Sequence, residues 1–440
     1  MWIINLLSAA LTVTVGTILL FRLRFFFILH PIKCVRRIFH IVRDRDRRRS
    51  LLLALAGTLG VGNIYGVALG IILAGPGCVF WLFISSFFAM VVKYSESLVA
   101  TDFSSRGRGM MVPIEKSFGR AGKPIASLYC GAMLILSLFM GGFIQADSVI
   151  SSAVYLFSVK KVIIALLFLV PVILVISGGG NGIKNATEAL IPVATVFYVV
   201  LSVIVLSKDI SRLGQVIPEI IRSAFSPASA FFGILPTVSY SALSQGFARG
   251  LLSNEAGAGS SAMAHSESGC DPTDAGLLGI LEILFDTNLL CILTALVILC
   301  EVEDPSVASS SMSLVFSAFA SGIGRWSILP LFACIVLFAY STVICWYYYG
   351  IRCLSYLSLN KSSFVYSFAF CIFLFSPTTF AGIGAVYVSD VLLLLMSLPT
   401  LFCLLKNAKS IETMTLSSAF LEGKRYKRIL HFDNCKQNNK

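Results

Sequence analysis

Apolar residues in this chain gather into long runs, and the stretches between the runs hold nearly all of the charge. A helix needs roughly 20 predominantly apolar residues to cross a bilayer. The pattern predicts such spans at about 4–28, 51–74, 78–101, 125–157, 162–177, 187–207, 275–299, 328–357, 364–380 and 384–405. One further segment, 231–266, is anomalous. Its apolar pieces are short and interrupted by Pro236, Gly246, Gly250, Gly257 and Gly259, with Arg249, Asn254 and Glu255 in the middle. Counted as an interrupted span, it brings the total to eleven transmembrane helices in an all-α integral membrane protein.

The span at 51–74 is also irregular. It reads LAGTLGVGNIYGVALGIILAGP from Leu55 to Pro76, with Gly57, Gly60, Gly62, Gly66 and Gly70 along its length and Thr58 and Asn63 among them. Glycine costs a helix interior about 1 kcal/mol relative to alanine. Asn63 at membrane depth needs a partner, because no water reaches it there. The segment is therefore expected to be a broken helix whose freed amides and carbonyls face a polar cavity. The plainer alternative is close helix packing, since Gly62–Gly66 and Gly66–Gly70 are small-xxx-small pairs. A dinucleotide fingerprint fails, because Tyr65 stands where its third glycine belongs.

Composition agrees with a bilayer as solvent. Of 440 residues 57 % are hydrophobic and 13 % charged, against roughly 25 % charged in soluble domains. The net charge of +12 does not imply a nucleic-acid partner, because the basic residues sit in short runs between spans. The densest run is Lys33, Arg36, Arg37, Arg43, Arg45, Arg47, Arg48 and Arg49. It marks 29–50 as a cytoplasmic loop, with the N-terminus outside and a basic cytoplasmic tail at 406–440. The twelve cysteines lack any CxxC pair, and the four histidines are too dispersed for a metal site or a catalytic triad. The chain is not expected to be an enzyme or to carry a cofactor.

After the first helix, the interrupted segments are the first and the sixth of ten spans. Paired broken spans at equivalent positions of two halves point to an inverted repeat with the binding site between them. The halves are 51–207 and 231–405, preceded by an additional helix at 4–28. Half-helix termini suit an anionic group and a cation together, as in an amino-acid zwitterion with its coupling ion. Arg249 and Glu255 either pair with each other or gate an aqueous path; Lys93 and Glu96 are expected to be structural. A channel with the same glycine-lined path is the competing class.

Several blocks resemble the alanine or glycine:cation symporters, a family of LeuT-type transporters with an extra N-terminal helix. They are GTLGVGNIYGVA (57–68), GPGCVFW (75–81), KYSESLVA (93–100), GGFIQADSV (141–149), ARGLLSNEAGAGSSAMAH (248–265), FAYSTVICWYYYGIRCLSYL (338–357) and SDVLLLLMSLPTL (389–401). The resemblance implies import of alanine or glycine with sodium across a bacterial plasma (inner) membrane. Its substrate pocket would use the unwound backbone at Gly60, Val61 and Gly62, with Gln145, Ser253, Asn254, Gly257 and Trp346. Its sodium would lie between carbonyls of Ala56 and Leu59 and hydroxyls of Ser341 and Thr342, with Thr58 and Asn63 nearby. The chain departs from the family at Val61 and Tyr65, where a hydroxyl and a small residue are usual, and at Gly142 and Asp147, where asparagines are usual. Asp147 either adds charge to the cation site or is neutral and structural. Another small amino acid, or a proton in place of sodium, is the alternative within the same carrier.

Overall fold

The computed structural model describes residues 2–103, 109–225, 240–359, 362–380 and 383–418, and no strand occurs among them. Arg106, Arg108, Pro227, Pro236, Lys361 and the basic positions from Lys424 to Arg428 lie outside the described residues.

Helix α1 (Trp2–Arg22) stops short of the expected residue 28, where Arg24 and Phe25 take left-handed backbone. The stretch expected as a basic loop is mostly helical. Helix α2 (Pro31–Ile41) begins on a proline, whose missing N–H has no intrahelical partner to lose at that position. Helix α3 (Arg45–Thr58) is capped by Asp44, whose carboxylate accepts from the amides of Asp46 and Arg47. The chain then breaks, passes through a π-turn at Gly62–Gly66 and resumes as α4 (Val67–Ala74). The two arms of this span are bent by 51°.

Helices α5 (Gly77–Phe103), α6 (Met111–Ser117), α7 (Gly119–Phe157), α8 (Lys161–Ser177), α9 (Gly179–Lys208) and α10 (Ile210–Ala224) follow. The second half starts with α11 (Tyr240–Asn254), turns irregularly and continues as the single turn α12 (Ala262–His265). It goes on with α13 (Pro272–Glu301), α14 (Ser311–Ile323), α15 (Arg325–Tyr356), α16 (Ser363–Phe375), α17 (Ile383–Lys406) and α18 (Ala408–Leu416). Among the described residues six helices are long and apolar enough to cross a bilayer, and the bent pair makes a seventh; α8, α14, α16 and most of α1 are apolar but shorter.

The two interrupted spans run in opposite directions. Arg45 and Arg49 at the start of α3 reach Glu188 near the start of α9. Just beyond α12, Glu267 pairs with Lys184 of α9 and Arg352 of α15. The first broken span therefore begins at the end of the molecule where the second one finishes. The rim facing outward is lined by side chains such as Leu167, Leu174, Val193 and Phe364, all largely exposed. In water that surface would be an aggregation hazard; against lipid tails it is the proper solvent contact.

Close packing by small residues occurs in part of the first glycine run: a Cβ on Gly70 would lie 3.2 Å from Arg249 Cγ. A Cβ on Gly62 or Gly66 would meet nothing within 4 Å. The tight seam is instead between α11 and α5. There a Cβ on Gly246 would lie 2.5 Å from the Cys78 carbonyl oxygen, and one on Gly250 2.1 Å from Ser85 Oγ.

Candidate functional site

The first break is held open by side chains of other helices. The Leu59 carbonyl, left without a helical partner, accepts from Thr342 Oγ1 at 3.4 Å. The Val61 amide donates to Gln145 Oε1 at 3.3 Å, and the Gly57 carbonyl accepts from Trp346 Nε1 at 3.2 Å. A Cβ on Gly60 would press on both Thr342 and Gln145 at 3.1–3.2 Å, so the backbone approaches them as closely as glycine allows.

The second break is held by a buried carboxylate. Glu96 of α5 accepts from the amides of Gly257 at 2.8 Å and Gly259 at 3.1 Å, two donors that the unwound segment leaves without helical acceptors. Both glycines have positive φ, 97° and 70°. Tyr129 donates to the Ala258 carbonyl between them. Glu255 also takes left-handed backbone, at φ 54°, a conformation that costs a non-glycine residue about 1–2 kcal/mol. Strain of this kind persists only where the surroundings over-determine it.

Between the breaks lies a cavity of about 240 Å3. Of the residues singled out in the sequence, Gly60, Val61, Gly62, Gln145, Ser253, Thr58, Asn63 and Thr342 line it. Asn254, Gly257, Trp346, Ala56, Leu59 and Ser341 do not. Asn254 stands behind the wall, donating to Thr287 Oγ1 at 3.1 Å. Trp346 is fully buried against the break, where a Cβ on Gly141 would overlap its own Cβ at 2.2 Å. The Ser341 and Thr342 hydroxyls both bond the Phe338 carbonyl of their own helix, at 2.9 Å each.

The carboxylate that bonds the first broken span at Asn63 is one the sequence did not flag. Asp286 sits in a π-turn of α13, fully buried. It accepts from Asn63 Nδ2, from Ser253 Oγ at 3.3 Å and from Thr287 Oγ1 at 2.9 Å. It thus joins both broken spans to α13. Asp147, by contrast, is half-exposed outside the cavity wall, and Ser151 donates to it at 3.3 Å. That placement keeps Asp147 out of the cavity that Thr58 and Asn63 line. The other ionic expectations also change. Lys93 does not pair with Glu96; it reaches Glu282 at 3.1 Å and Ser261 at 2.6 Å, and His265 bonds the second oxygen of Glu282. Glu255 does not pair with Arg249 but accepts from Ser260 Oγ at 2.5 Å. Both Arg249 and Glu255 nevertheless line the cavity.

Two oxygens in the cavity wall, Thr58 Oγ1 and Asn63 Oδ1, are buried with no hydrogen-bond donor among the described residues. Such groups normally find a partner, since leaving one unmade costs about 1–3 kcal/mol. Oxygens left open in this way are the ligand type that a hard cation takes.

Comparison with known proteins agrees with this architecture. In fold, the chain is similar to the solved structure of MhsT in complex with L-phenylalanine, with a TM-score of 0.59 at 14 % identity, covering 85 % of this chain and 96 % of that one. In sequence it is 30 % identical to the sodium/alanine symporter AgcS of Methanococcus maripaludis over 82 % of each chain. It is 27 % identical to a probable sodium/glutamine symporter, GlnT, of Bacillus subtilis over 82 % of this chain and 77 % of that one. The model of the sodium:alanine symporter family matches residues 1–423. With two broken helices, a cavity between them and a family match along nearly its whole length, this chain is a LeuT-fold membrane transporter of the sodium:alanine symporter family, a carrier for cation-coupled amino-acid transport and not an enzyme.

Proposed function

We propose that the protein imports a small neutral amino acid, alanine or glycine, by symport with sodium. The observation that carries this reading is the cavity at the two helix breaks, with the donorless oxygens of Thr58 and Asn63 in its wall. Gly60, Val61 and Gly62 offer unwound backbone to the substrate, beside Gln145 and Ser253. The empty space above Gly62 gives the solute its seat. Asn254, Gly257 and Trp346 act from behind, by holding the breaks open.

The cation is bound by Asn63 Oδ1 with the Asp286 carboxylate beside it. The Ala56 and Leu59 carbonyls with Thr58, Ser341 and Thr342 form a second oxygen-rich position along the same break. The chain is oriented with its N-terminus outside and its basic face in the cytoplasm of a bacterial cell, as the charge of the loops favours.

Proteoliposome uptake tests this. Labelled alanine or glycine should accumulate against its gradient when sodium is imposed on one side, and unlabelled small amino acids should compete. Failure of both to enter or compete ends the substrate assignment, and sodium-independent downhill flux ends the symport. A second reading, proton coupling, is favoured by the buried carboxylates Asp286, Glu255 and Glu96 around the breaks. Uptake driven by a pH gradient without sodium selects it.

A further inference from the structure

Helix α2 presents three faces. Cys34, Ile38 and Ile41 are buried against the protein. Ile32, Val35 and Phe39 form an apolar stripe at i, i+3 and i+7 that stays exposed, at 76, 47 and 66 %. Arg36 and His40 run alongside at i and i+4, positions that share one side of a helix, and Arg43 follows in the turn just past its end. In water the apolar stripe would be a liability. On a membrane protein it is the signature of a helix lying in the interface between headgroups and tails.

Two concavities meet at this helix and share Val35 and Phe39. One is a shallow, open surface of α2 itself, where Arg36, His40 and Arg43 stand beside Ile32, Val35 and Phe39. The other, of about 480 Å3, is walled almost entirely by apolar side chains of α2, α3, α9 and α13, with Arg48 at its edge. Its size falls in the roughly 300–1,000 Å3 range of ligand pockets. Basic side chains on an interfacial helix beside an apolar slot have the outline of a phospholipid.

The charge points the same way. Residues 33–49 hold eight basic and two acidic side chains. Much of the basic charge is engaged: Arg37 on Asp274, and Arg45, Arg48 and Arg49 on Glu188. Arg36 and Arg43 make no ion pair or hydrogen bond among the described residues. They therefore have no counter-charge from the protein, and a zwitterionic headgroup brings no net charge to supply one.

The geometry points to a resident site for one anionic diacyl phospholipid, its phosphate on Arg36 and Arg43 and one acyl chain in the slot between α2, α3, α9 and α13. The slot has a functional address. Its wall on α3 is Leu51, Leu52 and Leu55, the turns leading to the break at Leu59. Its wall on α13 is Leu284 and Phe285, immediately before the Asp286 that holds Asn63. A chain filling the slot braces α3, the first arm of the broken helix, against α9. The lipid thereby sets how easily the basic end of the carrier opens. The site itself does not depend on which solute is carried.

The test uses the full chain in vesicles of phosphatidylcholine containing a minor fraction of phosphatidylglycerol. A Phe39→Trp reporter, exposed enough to leave the fold intact, is quenched by brominated acyl chains on one lipid or the other, with the unsubstituted protein as background. Two arginines near a membrane surface are together worth roughly a thirtyfold preference for an anionic lipid. Brominated phosphatidylglycerol should therefore quench the reporter at a far lower fraction than brominated phosphatidylcholine, and Arg36→Gln with Arg43→Gln should bring the two together. Equal quenching with both arginines present overturns the site, and so does a preference that survives their removal.

Discussion

Asp286 is the residue on which the cation reading turns. Its carboxylate touches Asn63, Ser253 and Thr287, which belong to three different spans. Asp286→Asn keeps the shape and removes the charge. It should raise the sodium concentration for half-maximal uptake at least tenfold, a loss of about 1.4 kcal/mol, while thermal unfolding in detergent shifts little. An unchanged sodium response would move the cation away from this carboxylate. Two glycines separate space from packing. A methyl on Gly62 enters the open cavity, whereas one on Gly141 collides with Trp346. Gly62→Ala should leave folding intact and weaken substrate affinity; Gly141→Ala should lower the melting temperature and the yield of folded protein. Such differences are invisible in the sequence, where both glycines stand in apolar runs. Asp286 escaped notice for the same reason: it is one of two carboxylates in the run 275–299, and Asn63 and Ser253, which single it out, come from elsewhere in the chain.

At the scale of elements, regular spans and both breaks were legible, because glycine, proline and buried polar residues disturb a helical run locally. Pairing between elements was not. Lys93 and Glu96 are three apart on one helix, and that spacing suggests a pair. The fold instead sends Lys93 to Glu282 of α13 and Glu96 to the amides of the second break. Helix α14 was missed because its 13 residues are too few to cross, and α2 because its charge outweighed its periodicity. The Lys93–Glu282 pair is fully buried on both sides. Removing one partner of such a pair costs about 3–5 kcal/mol, while replacing both with apolar groups is often neutral. Lys93→Met alone should therefore destabilise strongly in a thermal melt. Adding Glu282→Leu should recover a good part of the loss, short of full recovery because His265 then loses its partner. Additive losses would show that the two charges act separately.

At the scale of the whole molecule, ion pairs tie both broken spans to their neighbours at the basic end. At the basic end Glu267 gathers Lys184 at 2.6 Å, Tyr348 at 2.5 Å and Arg352, tying the end of the second broken span to α9 and α15. Arg45 and Arg49 on Glu188 do the same for the start of the first. These contacts bridge elements that must separate for the cavity to open on that side. A zwitterion moved with one cation carries one charge, worth about 2.3 kcal/mol per 100 mV. That supports roughly fiftyfold accumulation before any sodium gradient is added. The gain is realised only if cation and substrate favour the same state of the carrier. Glu267→Gln loosens the latch without touching the cavity, so it should shift the resting population toward the state open at the basic end. Apparent affinity falls with the fraction of protein competent to bind. Sodium half-saturation should therefore rise several-fold, while substrate affinity at saturating sodium stays near its original value. Measuring both in the same proteoliposomes separates a latch from a ligand: a loss confined to substrate affinity would place Glu267 in the binding machinery instead.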